Sequence, residues 1–125
     1  MIFDTDILIW VQRGNAKAAN VIRDTPELAI SIFTYMELQQ SAKNSKHLKT
    51  ISSFINAMNF SILPLTPKIG HRASIYIEEY TLTHAVRVGD AIIAATAVEN
   101  GMTLCTGNTK HFKAIKELDI KTFRP

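Results

Sequence analysis

Short apolar runs alternate with longer amphipathic stretches along the whole chain. Met1–Phe3 is apolar and stops at Asp4, the pattern of a short buried strand. Ile7–Val11 is apolar again and predicts a helix continuing toward Ile22. Asp24-Thr25-Pro26 breaks it, because proline excludes helix at the residue before it. Leu28–Ile32 reads as a second strand, followed by a helix around Tyr35–Lys43. Another helix spans roughly Leu48–Met58, where Ile51, Phe54, Ile55 and Met58 recur at helical spacing. Phe60–Leu65 reads as a third strand. Thr66 then Pro67 is a cap followed by proline at the first helical position, opening a helix to about Tyr80. Ile69, Ala73, Tyr76, Ile77 and Tyr80 share one face of it.

Ala91–Glu99 is apolar nearly all round, so it predicts a helix buried on more than one side. Its alanines allow close approach of neighbours, and Asn100-Gly101 ends it. Thr103–Thr106 and Ile120–Phe123 read as a fourth and a fifth strand. Strands alternating with helices predict an α/β domain with a mainly parallel sheet of four to five strands. In such sheets ligands bind beyond the carboxyl ends of the strands.

At 125 residues, 46% hydrophobic and 20% charged, the chain suits a single domain with its own core. This composition excludes disordered and collagen-like chains. The longest nearly apolar run, Ala91–Val98, falls well short of the roughly 18 residues a membrane span needs. Asp4 and Asp6 interrupt any signal-peptide pattern, and the lone Cys105 makes no internal disulfide. These features predict a cytoplasmic protein without a membrane partner. The net charge is +3, with its layout uneven: no acid lies between Glu37 and Glu78, while Lys43, Lys46, Lys49, Lys68 and Arg72 do. Lys110, Lys113, Lys116, Lys121 and Arg124 crowd the C-terminal stretch. Such a bias suits a polyanion such as nucleic acid, or simply a solvated basic surface.

Against that background the carboxylates stand out. Asp4 ends the first strand, Asp6 follows, Glu37 lies in the helix after strand two, and Asp90 opens the buried helix. Asn108 follows strand four. In a parallel sheet these meet near one edge. Carboxylates gathered without Cys or His form a hard-oxygen site suited to Mg²⁺ or Mn²⁺. With Asp4, Asp6, Glu37 and Asp90 set aside, the acidic count falls from 11 to 7 against 14 basic residues. An acidic spot within a basic surface fits a metal-dependent phosphodiesterase. Each residue also has an ordinary structural role open to it. Glu37 stands at capping-box spacing from Thr34, Asp90 and Asp6 are natural N-caps, and Asn108 suits a turn. Asp4 is the exception, since a carboxylate straight after a buried strand needs a partner. His47, His71, His84 and His111 lack metal-ligand spacing and read as surface or satisfied histidines. Cys105 and Trp10 read as core, and no GxGxxG or P-loop occurs.

Four segments carry a family likeness. They are Ile2-Phe3-Asp4-Thr5-Asp6-Ile7-Leu8-Ile9-Trp10, Ser31-Ile32-Phe33-Thr34-Tyr35-Met36-Glu37-Leu38, Gly89-Asp90-Ala91-Ile92-Ile93-Ala94-Ala95-Thr96-Ala97 with Gly101, and Thr106-Gly107-Asn108-Thr109-Lys110-His111-Phe112. In this order and spacing the chain resembles PIN-domain proteins, specifically VapC-type toxins of type II toxin–antitoxin systems. The resemblance implies a three-layer α/β/α fold and a Mg²⁺- or Mn²⁺-dependent endoribonuclease. It implies catalytic roles for Asp4, Glu37, Asp90 and Asn108, with Asp4, Asp90 and Glu37 as metal ligands. Asn108 stands where many PIN domains carry a fourth acid, and Asp6 is placed to share that role. It assigns Thr106 to orienting a water. A homodimer, an RNA substrate and a cognate antitoxin are implied as partners. A catalytically inactive PIN-like binding module is the main alternative. Two other acidic families fit less well. A haloacid-dehalogenase-like phosphatase also opens on Asp-x-Asp, but expects Thr or Ser where Leu8 stands. A response-regulator receiver needs an acid after strand three, where Thr66 stands.

Overall fold

The computed structural model describes Met1–Pro125. Its elements run β1 (Ile2–Phe3), α1 (Thr5–Gln12), α2 (Ala16–Asp24), β2 (Ala29–Ser31), α3 (Ile32–Gln40), α4 (Ser45–Ala57) and β3 (Ser61–Leu63). They continue with α5 (Pro67–His84), α6 (Val88–Glu99), β4 (Leu104–Thr106), a 3₁₀ turn (Thr109–His111) and β5 (Ile120–Thr122). The five strands form one all-parallel sheet in the order β3-β2-β1-β4-β5. The α/β expectation holds, with every strand pair parallel.

Side-chain alternation along the strands builds three layers. Ile2, Ala29 and Leu104 point to one face of the sheet, where α5, α6, Phe112 and Ile115 cover them. Phe3, Ile30 and Cys105 point to the other, beneath residues of α1, α2, α3 and α4. The period of two puts neighbouring residues on opposite faces. Cys105 is a core residue, and burial pushes its thiol up to about 11. No helix is long and apolar enough to cross a membrane.

Four boundaries differ from expectation. The first helix is two. Gly14 adopts φ +80°, and the Asn15 side chain accepts from the Ala18 amide, opening α2. A left-handed glycine followed by an asparagine cap outweighs the continuing apolar pattern. Helix α3 begins at Ile32, capped by Ser31, so Glu37 lies mid-helix and no capping box with Thr34 forms. Helix α6 begins at Val88, which puts Asp90 at its third position instead of at the cap. There Asp90 Oδ2 accepts from the Arg87 backbone amide at 3.2 Å. Helix α5 also runs on to His84, ending at Ala85 in the left-handed region (φ 52°).

The chain leaves β1 toward β2 and β3 on one side and returns to β4 and β5 on the other. The reversal opens a crevice beyond the carboxyl ends of β1 and β4.

Candidate active site

Asp4 follows β1 directly into that crevice. It caps α1 through Oδ1, which accepts from the Thr5 amide at 2.7 Å, and its Oδ2 accepts from Thr106 Oγ1 at 2.7 Å. Thr106 is the last residue of β4, and its Oγ1 also accepts from the Asn108 amide at 3.0 Å. The carboxylate is thus fixed between the two central strands while only 6% exposed. Capping of the first helix falls to Asp4, where Asp6 was the expected residue.

Asp6 is held differently. Its Oδ2 accepts from the Gly107 amide at 2.8 Å, and its Oδ1 is buried with no partner. A Cβ on residue 107 would fall 2.8 Å from Asp6 Oδ2 and 3.3 Å from the Phe123 carbonyl oxygen, so only glycine permits this approach. From α3, Glu37 accepts a hydrogen bond from Thr5 Oγ1, which stands 3.0 Å from Thr34 Oγ1. From α6, Asp90 presents its carboxylate beside Gly89, against which the Phe33 ring packs; a Cβ there would come within 2.7 Å of the ring.

These residues line one cavity of about 520 Å³, together with exposed Arg87 and Asn108. All four residues expected to be catalytic, Asp4, Glu37, Asp90 and Asn108, meet there, with Asp6 among them. Asn108 leads into the 3₁₀ turn without a side-chain capping bond. A roomier concavity, about 840 Å³, lies elsewhere, along α5. Its three acids, Glu79, Glu99 and Glu117, are matched by Lys68, Arg72 and Lys116, and Arg72 bonds both Glu99 and Glu117, so it holds no excess of negative charge.

The carboxylate cavity sets four acids against one cation, Arg87, which ion-pairs with none of them. Burial, then the negative charge of Asp6, push the Asp4 carboxyl up to about 7, with Asp90 adding to the effect. Hydrogen bonds from Thr106 and Thr5 oppose the rise without cancelling it. Asp6 is also raised, by burial, against backbone amides at Gly107 and Ile7. A divalent cation would relieve this repulsion. The donor set fits one: all oxygens, several negative, one of them a buried atom without a partner. No three of the acids are gathered closely enough to make a ready-made cage.

One residue at this edge escaped the sequence reading. His111 Nδ1 lies 3.7 Å from Asp90 Oδ2 and is buried without a hydrogen bond. Its ordinary spacing hid it, because its neighbour comes from another strand–helix unit. The signal available was its place in the turn that carries Asn108.

Residues 1–118 match the family model of the PIN domain. The chain is 30% identical to Ribonuclease VapC10 of Mycobacterium tuberculosis, over 94% of this chain and 90% of that protein. It is 28% identical to Ribonuclease VapC1 of Rickettsia felis, over 98% and 95% of the two chains. Among solved structures, a toxin–antitoxin complex from Klebsiella pneumoniae superposes with a TM-score of 0.79 at 31% identity, covering 97% of this chain and 95% of that one. FitAcB from Neisseria gonorrhoeae shares the fold, with a TM-score of 0.76 at 22% identity, over 95% and 94% of the two chains. The chain belongs to the PIN-domain family, in its VapC-type branch.

Proposed function

We propose that the protein is a metal-dependent endoribonuclease and the toxin of a type II toxin–antitoxin pair. The observation that carries this reading is the acid-rich cavity at the ends of β1 and β4. The names of its relatives, a ribonuclease and a toxin–antitoxin complex, agree with it. Exposed Lys43, Lys46, Lys49, Lys110 and Lys113 provide cations for the rest of an RNA backbone.

In this reading Asp4, Asp90 and Glu37 would hold Mg²⁺ or Mn²⁺. The bound ion supplies acidification of water and neutralisation of charge at the scissile phosphate. Thr106 and the Thr5 amide keep both Asp4 oxygens aimed by occupying one lone pair of each. Thr5 does the same for Glu37. At the other wall the Asn108 side-chain amide donates to a phosphate oxygen and Asp6 Oδ1 accepts from water. The reaction is a hydrolysis. Water adds to phosphorus in line with the 3′ oxygen, the P–O3′ bond breaks, and the products carry 5′-phosphate and 3′-hydroxyl ends. The protein forms a homodimer, and the cognate antitoxin silences it by covering the site.

The test is cleavage of total cellular RNA by the purified protein freed of antitoxin, with Mg²⁺, with Mn²⁺ and with EDTA, beside Asp90→Asn. Discrete fragments that require both the metal and Asp90 are expected. Fragments that persist in EDTA, or with folded Asp90→Asn, contradict the proposal. No fragments from the folded wild type would favour a binding module that has lost catalysis.

A further inference from the structure

Only two buried side-chain polar atoms in the whole chain lack a partner, Asp6 Oδ1 and His111 Nδ1, and both flank the carboxylate cavity. Asp6 Oδ1 is an acceptor on the cavity wall. His111 Nδ1 faces a carboxylate oxygen at 3.7 Å. That separation is too long for a hydrogen bond. It is also too short to hold a bridging water, which needs about 5 Å between its two partners. An approach of about 1 Å would make the bond.

We infer that His111 is a positioning residue for Asp90, donating from Nδ1 to Asp90 Oδ2 when a divalent cation is bound. The inference rests on the proposal that Asp90 is a ligand of that cation. Three features carry it. The first is the division of the Asp90 carboxylate: Oδ2 already accepts from the Arg87 amide, and Oδ1 makes no bond within the chain. A second donor on Oδ2 leaves Oδ1 as the oxygen turned to the cation. The second is rigidity. His111 sits in the 3₁₀ turn after β4, its amide bonded to the Asn108 carbonyl at 3.0 Å, and the next residue, Phe112, is fully buried. A residue whose backbone is anchored on both sides can place its side chain to fix another. The third is timing. Hydrogen bonds that serve a site are often long without its ligand and tighten when it is bound. The same turn also carries Asn108, so one short segment would set two walls of the site.

The experiment is calorimetric titration with Mn²⁺ alone, on the wild type, Asp90→Asn, His111→Ala, His111→Phe and His111→Asn, each checked for folding by circular dichroism. Asn places an amide donor close to the position of the histidine Nδ1; Phe keeps ring volume without a donor. Loss of an outer partner of a metal ligand costs roughly 10- to 100-fold in affinity. His111→Ala and His111→Phe should therefore weaken Mn²⁺ binding by roughly tenfold. His111→Asn should restore most of it, and Asp90→Asn should bind least. Wild-type affinity in the Phe and Ala variants overturns the inference, whatever happens to RNA binding. Equal weakening in all three His111 variants overturns it too, because packing would then explain the effect. If the wild type binds no Mn²⁺, the metal reading itself falls and this inference with it. If Asp90→Asn alone weakens binding, the metal reading stands and only the role of His111 fails. Should the Phe and Ala variants not fold, wild-type affinity in His111→Asn supports the inference and tenfold weaker binding there defeats it.

Discussion

Two regions of this molecule bring acids together, and they handle the charge in opposite ways. Along α5, Glu99 and Glu117 meet Arg72, with Nε–Oε2 and Nη1–Oε1 distances of 2.5 and 2.6 Å, and Glu117 also accepts from the Tyr76 hydroxyl. Those hydrogen bonds hold the Glu117 carboxyl below its ordinary range. At the ends of β1 and β4, Asp4, Asp6, Glu37 and Asp90 share a cavity with Arg87 but ion-pair with no arginine or lysine, and Asp4 is pushed up to about 7. The first cluster is closed: its charges ion-pair within the chain and tie α5 and α6 to the segment at Glu117. The second is open: its hydrogen bonds aim carboxylates but do not neutralise them. An open cluster is retained where a ligand completes it, and unfavourable local electrostatics is characteristic of such sites.

The sharpest way to break this contrast is to remove one charge from each region. Asp90→Asn should cut RNA cleavage by about a hundredfold or more, with the melting temperature nearly unchanged. Arg72→Met should do the reverse. It should leave cleavage within about twofold while costing on the order of 1 kcal/mol, since the pair is partly exposed and screened. RNA cleavage rates and urea midpoints of both variants decide it. Parallel loss of activity in Arg72→Met would erase the distinction.

The two regions also differ in the sign of their pH dependence. Asp4 holds its proton up to about 7 in the folded chain, against 3.8 for an unperturbed group. Between those values the unfolded chain releases a proton that the folded chain keeps. In EDTA this group therefore lowers stability as pH rises from about 4 to about 7, by on the order of 4 kcal/mol in all. Glu117, held low, contributes stability above its ordinary pKa that is lost as pH falls through its folded value. Urea midpoints across pH 4 to 8 should show the Asp4 trend in wild type and in Arg72→Met, and a smaller one in Asp4→Asn.

Smaller effects separate site geometry from plain folding. Gly107→Ala forces a Cβ against Asp6 Oδ2, so it should lower cleavage by roughly tenfold while costing about 1 kcal/mol. Gly14→Ala strains the left-handed turn between α1 and α2, with open space around it. It should cost about 1 kcal/mol and leave cleavage unchanged, as measured by thermal melting and RNA assay.

The residues that carry the proposal were legible because they are fixed by chain-local rules. Asp4 ends a buried strand, Asp90 opens an apolar helix, and a parallel sheet puts both at one edge. The all-parallel order and the two apolar faces follow from the same alternation. What stayed hidden depends on contacts across units. The Asp6–Gly107 bond joins residues a hundred positions apart, and the His111–Asp90 approach joins α6 to the turn after β4. The helix boundaries failed for another reason. Apolar periodicity ran across Gly14 and hid the break, and the start of α3 was read at Tyr35 although Ser31 caps it. That second shift matters for function. It places Glu37 mid-helix, where capping no longer accounts for it; there it accepts from Thr5 and lines the cavity.

The most direct measurement is thermal melting of wild type and Asp4→Asn at pH 8, in EDTA and in Mn²⁺. If the cavity is an open cation site, Mn²⁺ raises the wild-type melting temperature by several degrees. Asp4→Asn then melts roughly 10 °C or more above wild type in EDTA, because a buried charge is gone, and gains almost nothing from Mn²⁺. Asp4→Asn melting below wild type in EDTA, with no response of the wild type to Mn²⁺, would contradict the account. Asp4 would then be a structural cap, with its charge settled inside the fold.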